Sequence, residues 1–169
     1  MSVLKIKKLR EEGVMPKYES DLASGMDVRA YACEMWDNNT KKLVAITETT
    51  DENGNKGWLI PTNTTVILKT GLAVACGRNE EVQARARSGY SLKSPMRLSN
   101  GIGTIDADFR GEIGIIMTNN GQYGDWFVPY GERVAQIVVC PVIRSTIIEV
   151  DELDDTERGA GAYGSTGTK

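Results

Sequence analysis

The chain has 169 residues, of which 40% are hydrophobic and 25% charged, as is typical of one globular domain with its own core. Its formal net charge of −3 argues against a broad surface for nucleic acid or an anionic membrane, but it leaves room for a local basic site that binds a compact anion. Because the chain contains no histidine, a histidine base, Ser-His-Asp or Cys-His catalysis and histidine zinc ligands are excluded, so any catalytic base must be a carboxylate, Lys, Tyr or Cys.

The N-terminal segment, residues 1–10, is charged and has no apolar stretch, so it does not resemble a secretory signal. No apolar run reaches membrane-spanning length. The cysteines, Cys33, Cys76 and Cys140, are far apart in the sequence and form no Cys-x-x-Cys pair. This spacing favours three buried, reduced thiols over a zinc site. We therefore expect a cytoplasmic protein.

The periodicity along the chain predicts mostly β structure. Apolar and polar residues alternate at 3–7, 64–70 and 81–87, and residues 113–117 and 133–142 are more continuously apolar, as in strands covered on both faces. Asn53-Gly54 is a strong hairpin signal, and one short helix could begin near Ser88 or Ser91. The pattern predicts an all-β fold, a jelly-roll-like barrel or sandwich with at most one short helix.

The same pattern suggests how the chain is divided. We expect a β domain over residues 1–150, with an exposed arm or hairpin at about 34–57, where the sequence is polar and irregular. From residue 151 on, the sequence is first acidic and then rich in Gly, Ser and Thr, which predicts a flexible C-terminal segment over residues 151–169.

Two segments in the first half of the chain have polar residues beside apolar strands. Asp27 lies at the start of an apolar strand, and as a single residue it is best explained as a turn or capping aspartate. Arg87 and Ser88 end an alternating strand and are followed by Gly89 and the expected helix start. Together these three residues would form a compact anion site, but solvated side chains at a strand end explain the pattern equally well.

Two further segments lie in the second half. Glycines at 101 and 103 would let a ligand approach the backbone closely, and Asp106 follows among apolar neighbours, where its pKa and orientation could suit a base. A hairpin with ordinary turn aspartates is the alternative. Gln136 lies in an apolar strand, where its amide needs a hydrogen-bond partner from the protein or from a ligand.

The C-terminal segment has a composition that suits phosphate. Its glycines expose backbone N–H groups, Arg158 offers a guanidinium, and Ser165 and Thr166 offer hydroxyl donors. Tyr163 could stack on a base. A frayed tail without function is the alternative from composition alone.

Taken in order, these segments resemble the five motifs of the trimeric dUTPase (deoxyuridine 5′-triphosphate nucleotidohydrolase) family. The matching segments are 23–30, 87–91, 100–111, 131–136 and 158–167, and 70–74 resembles the stretch that usually precedes the second motif. The resemblance implies a β jelly-roll that assembles as a homotrimer with active sites at subunit interfaces. It also implies Mg²⁺-assisted hydrolysis of dUTP to dUMP and pyrophosphate, which limits uracil incorporation into DNA and supplies dUMP for thymidylate synthesis.

The resemblance further implies a role for each matching residue in catalysis and in recognition of the nucleoside. Asp106 would orient and deprotonate the attacking water, and Phe109 would pack against the deoxyribose. The uracil edge would be read in a narrow hairpin by Asn100, Gly103, Thr104, Ile105 and Gly114.

Other matching residues would bind the phosphates and the metal. The phosphate oxygens would contact Arg87, Ser88, Gly89 and Gln136. Asp27 would support Mg²⁺ through water, with the ion held mainly by the triphosphate. The C-terminal segment would close over the nucleotide of a neighbouring subunit, with Tyr163 stacked on uracil and the γ-phosphate bound by Arg158, Ser165 and Thr166. Gly164 would also contact the substrate.

The sequence departs from the family pattern at a few positions. Phe109 stands where the family usually has Tyr, Tyr163 where it usually has Phe, and Ala86 where it usually has Pro. Residues 34–57 are longer than the family norm, which leaves open a protein partner for this arm. Two alternatives to a dUTPase remain: a dCTP deaminase or bifunctional deaminase/dUTPase of the same fold, and a dUTPase-like regulatory protein.

Overall fold

The structure is a computed structural model that describes residues 2–162. Within that range the chain forms strands and one short helix, α1 (Ser88–Lys93). The strands are β1 (Lys5–Lys8), β2 (Met26–Arg29), β3 (Ala32–Asp37), β4 (Lys42–Ala45), β5 (Thr49–Thr50), β6 (Lys56–Ile60), β7 (Thr65–Lys69), β8 (Leu72–Ala75), β9 (Glu80–Arg85), β10 (Met96–Leu98), β11 (Gly103–Ile105), β12 (Gly114–Asn119), β13 (Trp126–Pro129) and β14 (Arg133–Pro141).

The strands form four antiparallel sheets. The largest has the order β10-β12-β7-β3-β4, the second β11-β9-β14-β2, the third β13-β6-β5, and β1 pairs with β8. No sheet closes into a barrel within residues 2–162. The prediction of an all-β fold with at most one short helix is therefore confirmed, and the helix begins at Ser88, one of the two expected positions.

One hydrophobic core joins all four sheets. Val28, Leu68, Leu72 and Ile60, one from each sheet, are fully buried members of the same cluster. Coverage on both faces was expected for the apolar segments at 113–117 and 133–142, and in the single chain this expectation is wrong. Strand β12 buries alternate residues, and its intervening Ile116 is only half-buried, because a strand places successive side chains on opposite faces.

The segment at 34–57 contains two hairpins. Strands β3 and β4 pair across a turn at residues 38–41, and β5 and β6 pair across a turn at residues 51–55. In the second turn the Asp51 carboxylate accepts backbone N–H bonds from Asn53 and Asn55 at 2.9 and 2.8 Å. Gly54 has φ +83°, as the Asn-Gly pair predicts, since glycine adopts this conformation without strain.

The cysteines are unpaired within the described range. Cys33 is buried, and its burial raises the pKa of the thiol to about 12. The prediction of three buried thiols is confirmed for Cys33 and is wrong for Cys76 and Cys140, which are half-buried. Among residues 2–162, no helix is long and apolar enough to cross a membrane.

Candidate active site

One sheet brings together four of the five motif segments. In the order β11-β9-β14-β2, which we call the motif sheet, β11 belongs to the third segment, β9 leads into the second, β14 begins in the fourth and β2 lies in the first. The register places Gln136 between Asp27 on one side and Arg85 on the other. The strand pairing therefore brings segments that are distant in sequence into one sheet.

The carboxylate of Asp27 joins the first, second and fourth segments. Its Oδ1 accepts a hydrogen bond from Arg87 Nε at 2.7 Å, and its Oδ2 accepts one from Arg133 Nη1 at 3.2 Å. Arg87 also donates from Nη1 to the carbonyl of Arg133 at 2.7 Å. The guanidinium of Arg87 is thus fixed in place, while its Nη2 group has no hydrogen-bond partner among residues 2–162 and remains able to bind an anion.

Gln136 has a structural partner. Its Nε2 donates to the carbonyl of Ala86 at 2.9 Å, the residue directly before Arg87. A Cβ added at Gly25 would collide with Gln136 Oε1. The first segment therefore needs glycine at this point because the glutamine side chain occupies the space, and the glutamine in turn positions the chain that leads to Arg87.

The third segment forms a small cleft, which we call the Asp106 cleft. Its volume is about 170 Å³. It is lined by Thr104, Ile105, Asp106, Phe109, Glu112, Ile113 and Gly114. Five of the residues predicted to bind nucleoside or activate water therefore meet in one place.

The turn at Asp106 shapes the mouth of this cleft. The N–H of Phe109 donates to the carbonyl of Asp106 at 3.1 Å, and the Phe109 ring lies over Gly111, where a Cβ would contact it. Asn100 is exposed, and its amide lies close to the position that a Cβ of Gly103 would occupy. Asp106 is also exposed rather than enclosed by apolar neighbours, because β11 ends at Ile105 and the chain turns there.

Glu112 supports the Asp106 cleft and was missed by sequence reasoning. It accepts a hydrogen bond from Arg10 Nε at 3.1 Å and one from the backbone N–H of Gly71 at 2.7 Å, and it lies 3.8 Å from Lys69 Nζ. The bond to Glu112 raises the pKa of the Arg10 guanidinium. These contacts tie the cleft to the N-terminal segment and to the turn between β7 and β8, partners that no local pattern indicates.

The predicted phosphate-binding residues lie elsewhere in the single chain. Arg87 and Gly89 line a separate cleft of about 400 Å³, the Arg87 cleft, together with residues of α1 and β13. Ser88 is exposed at the start of α1 beside them. No residue lines both this cleft and the Asp106 cleft. One chain therefore does not bring Asp106 and the phosphate-binding residues into a common cleft.

The C-terminal segment is described only as far as residue 162. Arg158 is exposed, and its Nε donates to the carbonyl of Gly161 at 3.0 Å. The other predicted residues of this segment, Tyr163, Gly164, Ser165 and Thr166, lie outside the described residues.

Few side chains near the candidate site could act as ligands to a metal ion. Residues 2–162 contain no group of three or more His, Cys, Asp or Glu side chains that could hold a metal ion. Asp27 offers one carboxylate, and both of its oxygens accept hydrogen bonds from arginine. This arrangement fits an ion that keeps its water and is held mainly by substrate phosphates, as Mg²⁺ commonly is.

The fold and the motif sheet define a class of protein, the dUTPases. The dUTPase family model matches residues 55–167, and the chain belongs to this family. The deoxyuridine 5′-triphosphate nucleotidohydrolase of Crocosphaera subtropica is 42% identical over 97% of this chain and 98% of that protein. Its counterpart in Nautilia profundicola is 37% identical with the same coverage. The family resemblance of the motif segments is therefore confirmed.

Solved structures of phage proteins have the same fold. A variant of the Staphylococcus bacteriophage 80alpha dUTPase with dUpNHpp has a TM-score of 0.78 and 21% identity, with 98% of each chain covered. A variant of the dUTPase from phage phi11 of S. aureus, described with a structural Mg(II) ion, has a TM-score of 0.71 and 20% identity over 90% of this chain and 99% of that chain. These similarities support the jelly-roll-like sandwich.

Proposed function

We propose that this protein hydrolyses dUTP to dUMP and pyrophosphate, which limits uracil incorporation into DNA and supplies dUMP for thymidylate synthesis. The observation that carries the proposal is the motif sheet, which holds four separate segments: the first, second and fourth meet in the Asp27–Arg87–Arg133 contacts, and the third forms the Asp106 cleft. Family membership and the names of the full-length relatives support the same reaction.

Asp106 is the proposed general base. Its exposed carboxylate at the mouth of the cleft can accept a proton from water. The resulting hydroxide attacks the α-phosphorus, the bond from that phosphorus to the oxygen bridging to the β-phosphate breaks, and pyrophosphate leaves with the bonding electrons. In a chain without histidine, a carboxylate at this position is the base that the geometry supports.

The Asp106 cleft is the proposed uracil and deoxyribose site. Its β11 wall, Gly103 to Ile105, offers backbone groups to the edge of the base, together with Asn100 and Gly114. A narrow cleft rejects the thymine methyl by collision, and it rejects cytosine because buried polar groups would be left unpaired. Phe109 would pack on the sugar and leave no room for a 2′-hydroxyl.

The Arg87 cleft is the proposed triphosphate site. Arg87 and the backbone at Gly89 line this cleft. Together with Ser88 and with Gln136, whose amide bonds to Ala86, they would contact phosphate oxygens and stabilise the charge that develops as pyrophosphate leaves. Mg²⁺ bound to the triphosphate would neutralise part of this charge, and Asp27 would reach it through water. The hydrogen bonds from Arg87 and Arg133 would hold the Asp27 carboxylate in position for that contact.

We propose that the active protein is a homotrimer. Asp106 and Arg87 line different clefts of one chain, so a complete site needs residues from a neighbouring subunit. Residues 147–153, on the C-terminal side of β14, expose large apolar side chains, with Ile147 at 94% and Leu153 at 85%. A groove of about 720 Å³ has apolar residues such as Ile6 and Val139 in its lining. Burial of these surfaces between subunits would be favourable at roughly 25 cal/mol per Å² of apolar area.

Light scattering on the full chain tests the assembly. The expected mass is three times the 18.5 kDa of the single chain, and it should persist on dilution to the concentrations used for assays. A mass of one chain in an active sample would contradict the shared site.

Pyrophosphate release from dUTP, dTTP, dCTP and UTP, each with Mg²⁺ and with EDTA, tests the reaction. We expect release from dUTP alone and a large loss of activity in EDTA. Ammonia release from dCTP would identify a deaminase instead. If none of the four is turned over, the proposal is wrong, and a regulatory role through residues 34–57 becomes the better explanation.

A further inference from the structure

A third polar cleft lies behind the loop that contains Asp106. It has a volume of about 360 Å³ and is lined by Cys76, Arg78, Ala107, Asp108, Arg110 and Arg144. We call it the triple-arginine cleft. The loop at residues 106–110 separates two clefts, because Asp106 and Phe109 line the Asp106 cleft while Ala107, Asp108 and Arg110 line this one. None of the motif roles described above uses it.

Three separate parts of the fold place the arginines. Arg78 lies in the tight turn between β8 and β9, which is closed by a bond from Glu80 N to Gly77 O at 3.0 Å. Arg110 Nη1 donates to two backbone carbonyls of its own loop, each at 2.7 Å. Arg144 lies two residues after Val142, and the N–H of Val142 donates to the carbonyl of Asn79 at 2.8 Å. The segment with Arg144 is therefore attached to the turn with Arg78.

The cleft has a surplus of positive charge. Its lining contains three arginines and one carboxylate, Asp108. Among the ion pairs of residues 2–162, none involves Arg78, Arg110 or Arg144 within 4.0 Å of a carboxylate. The three arginines are exposed, and guanidinium groups that line one cleft without a carboxylate partner attract a multiply charged anion. The cleft is therefore locally positive, although the chain as a whole has a net charge of −3.

We propose that the triple-arginine cleft binds a small phosphate anion, either inorganic phosphate, pyrophosphate or the phosphate of a mononucleotide. Phosphate oxygens match the fork of donors that arginine presents. The limited volume of the cleft and the net negative charge of the chain favour a compact anion over a nucleic-acid strand. This site goes beyond the proposed hydrolysis of dUTP, and its binding does not depend on that reaction.

Calorimetric titration of the full chain, at low ionic strength and in EDTA, tests the proposal with phosphate, pyrophosphate and dUMP as probes. The variant Arg78→Gln/Arg144→Gln removes two of the three guanidinium groups. Lys17→Gln/Lys42→Gln is its charge-matched control, because both lysines are exposed and outside the cleft. We expect the arginine variant to bind at least one probe ten-fold or more weakly than the control, and the probe with the highest affinity identifies the source of the phosphate.

A second variant tests the sign of the electrostatics. Asp108→Asn removes the one carboxylate of the lining and should tighten binding of the same probe, which a variant that merely unfolds would not do. Equal affinities in all variants would place the anion elsewhere, for example in the Arg87 cleft, and would overturn the proposal. Absence of binding to the wild-type chain, or binding of a short oligonucleotide in place of the small anions, would also overturn it. If the wild-type chain binds the anion in the triple-arginine cleft but does not turn over dUTP, only the proposed function is contradicted.

Discussion

Asp106→Asn is expected to lower kcat for dUTP hydrolysis by about 10²- to 10⁴-fold, the usual contribution of a positioned general base. The amide keeps the shape of the carboxylate but cannot accept the proton from water. Nucleotide affinity should change little, because the proposed uracil and phosphate contacts come from other residues. Steady-state kinetics with dUTP, together with calorimetric binding of a non-hydrolysable analogue, would separate the two effects.

The fold should tolerate this substitution. Asp106 is exposed, and the hydrogen bond that it accepts from the N–H of Phe109 uses its backbone carbonyl rather than its side chain. The thermal midpoint should therefore be close to that of the wild type. Asp21→Asn is a charge-matched control in an exposed loop, and we expect it to keep the wild-type kcat. A near-normal rate in Asp106→Asn would mean that another group activates the water.

Truncation after Asp155 is expected to lower kcat/KM by at least about 100-fold, comparable to the loss of a group that stabilises developing charge. The removed residues, 156–169, contain the fifth motif. We propose that this motif closes over the nucleotide of a neighbouring subunit. In that closed state Arg158, Ser165 and Thr166 would bind the γ-phosphate and Tyr163 would stack on uracil. The mechanism predicts a loss of activity without a loss of fold.

The structure explains why the fold should survive the truncation. Residues 156–162 are exposed, and they form local hydrogen bonds, such as the bond from Arg158 to Gly161. The thermal midpoint and the mass by light scattering should therefore match the full chain. A control that ends after Gly167 keeps the whole motif and should remain active. Unimpaired turnover in the chain that ends at Asp155 would rule out closure by this segment.

Local patterns in the sequence predicted the elements well. Alternation marked β7 and β9, the Asn-Gly pair marked the turn at Gly54, and the helix begins at Ser88. These features depend on residues that are close in sequence, where steric preferences and the period of the strand act directly. The motif segments could also be found, because their order along the chain is itself a signal.

Contacts between distant strands could not be predicted in the same way. The hydrogen bonds of Arg133 to Asp27, and of Arg10 to Glu112, depend on the register of strands or segments that are far apart in sequence. Register is set by burial of a whole face rather than by any local pattern. The exposure of Asp106 was missed for a related reason, because composition around a residue does not reveal where a strand ends.

The separation between the arm and the motif sheet has an evolutionary consequence. The strands of residues 34–57 pair within the five-stranded and three-stranded sheets, and none belongs to the motif sheet. The Asp51 turn closes mainly on its own residues. We therefore expect mutations that lengthen or shorten this turn to leave the registers of Asp27, Gln136 and Gly103 unchanged. Lineages of this enzyme can vary the turn at residues 51–55 under their own selection while the strand register of the motif sheet is inherited unchanged.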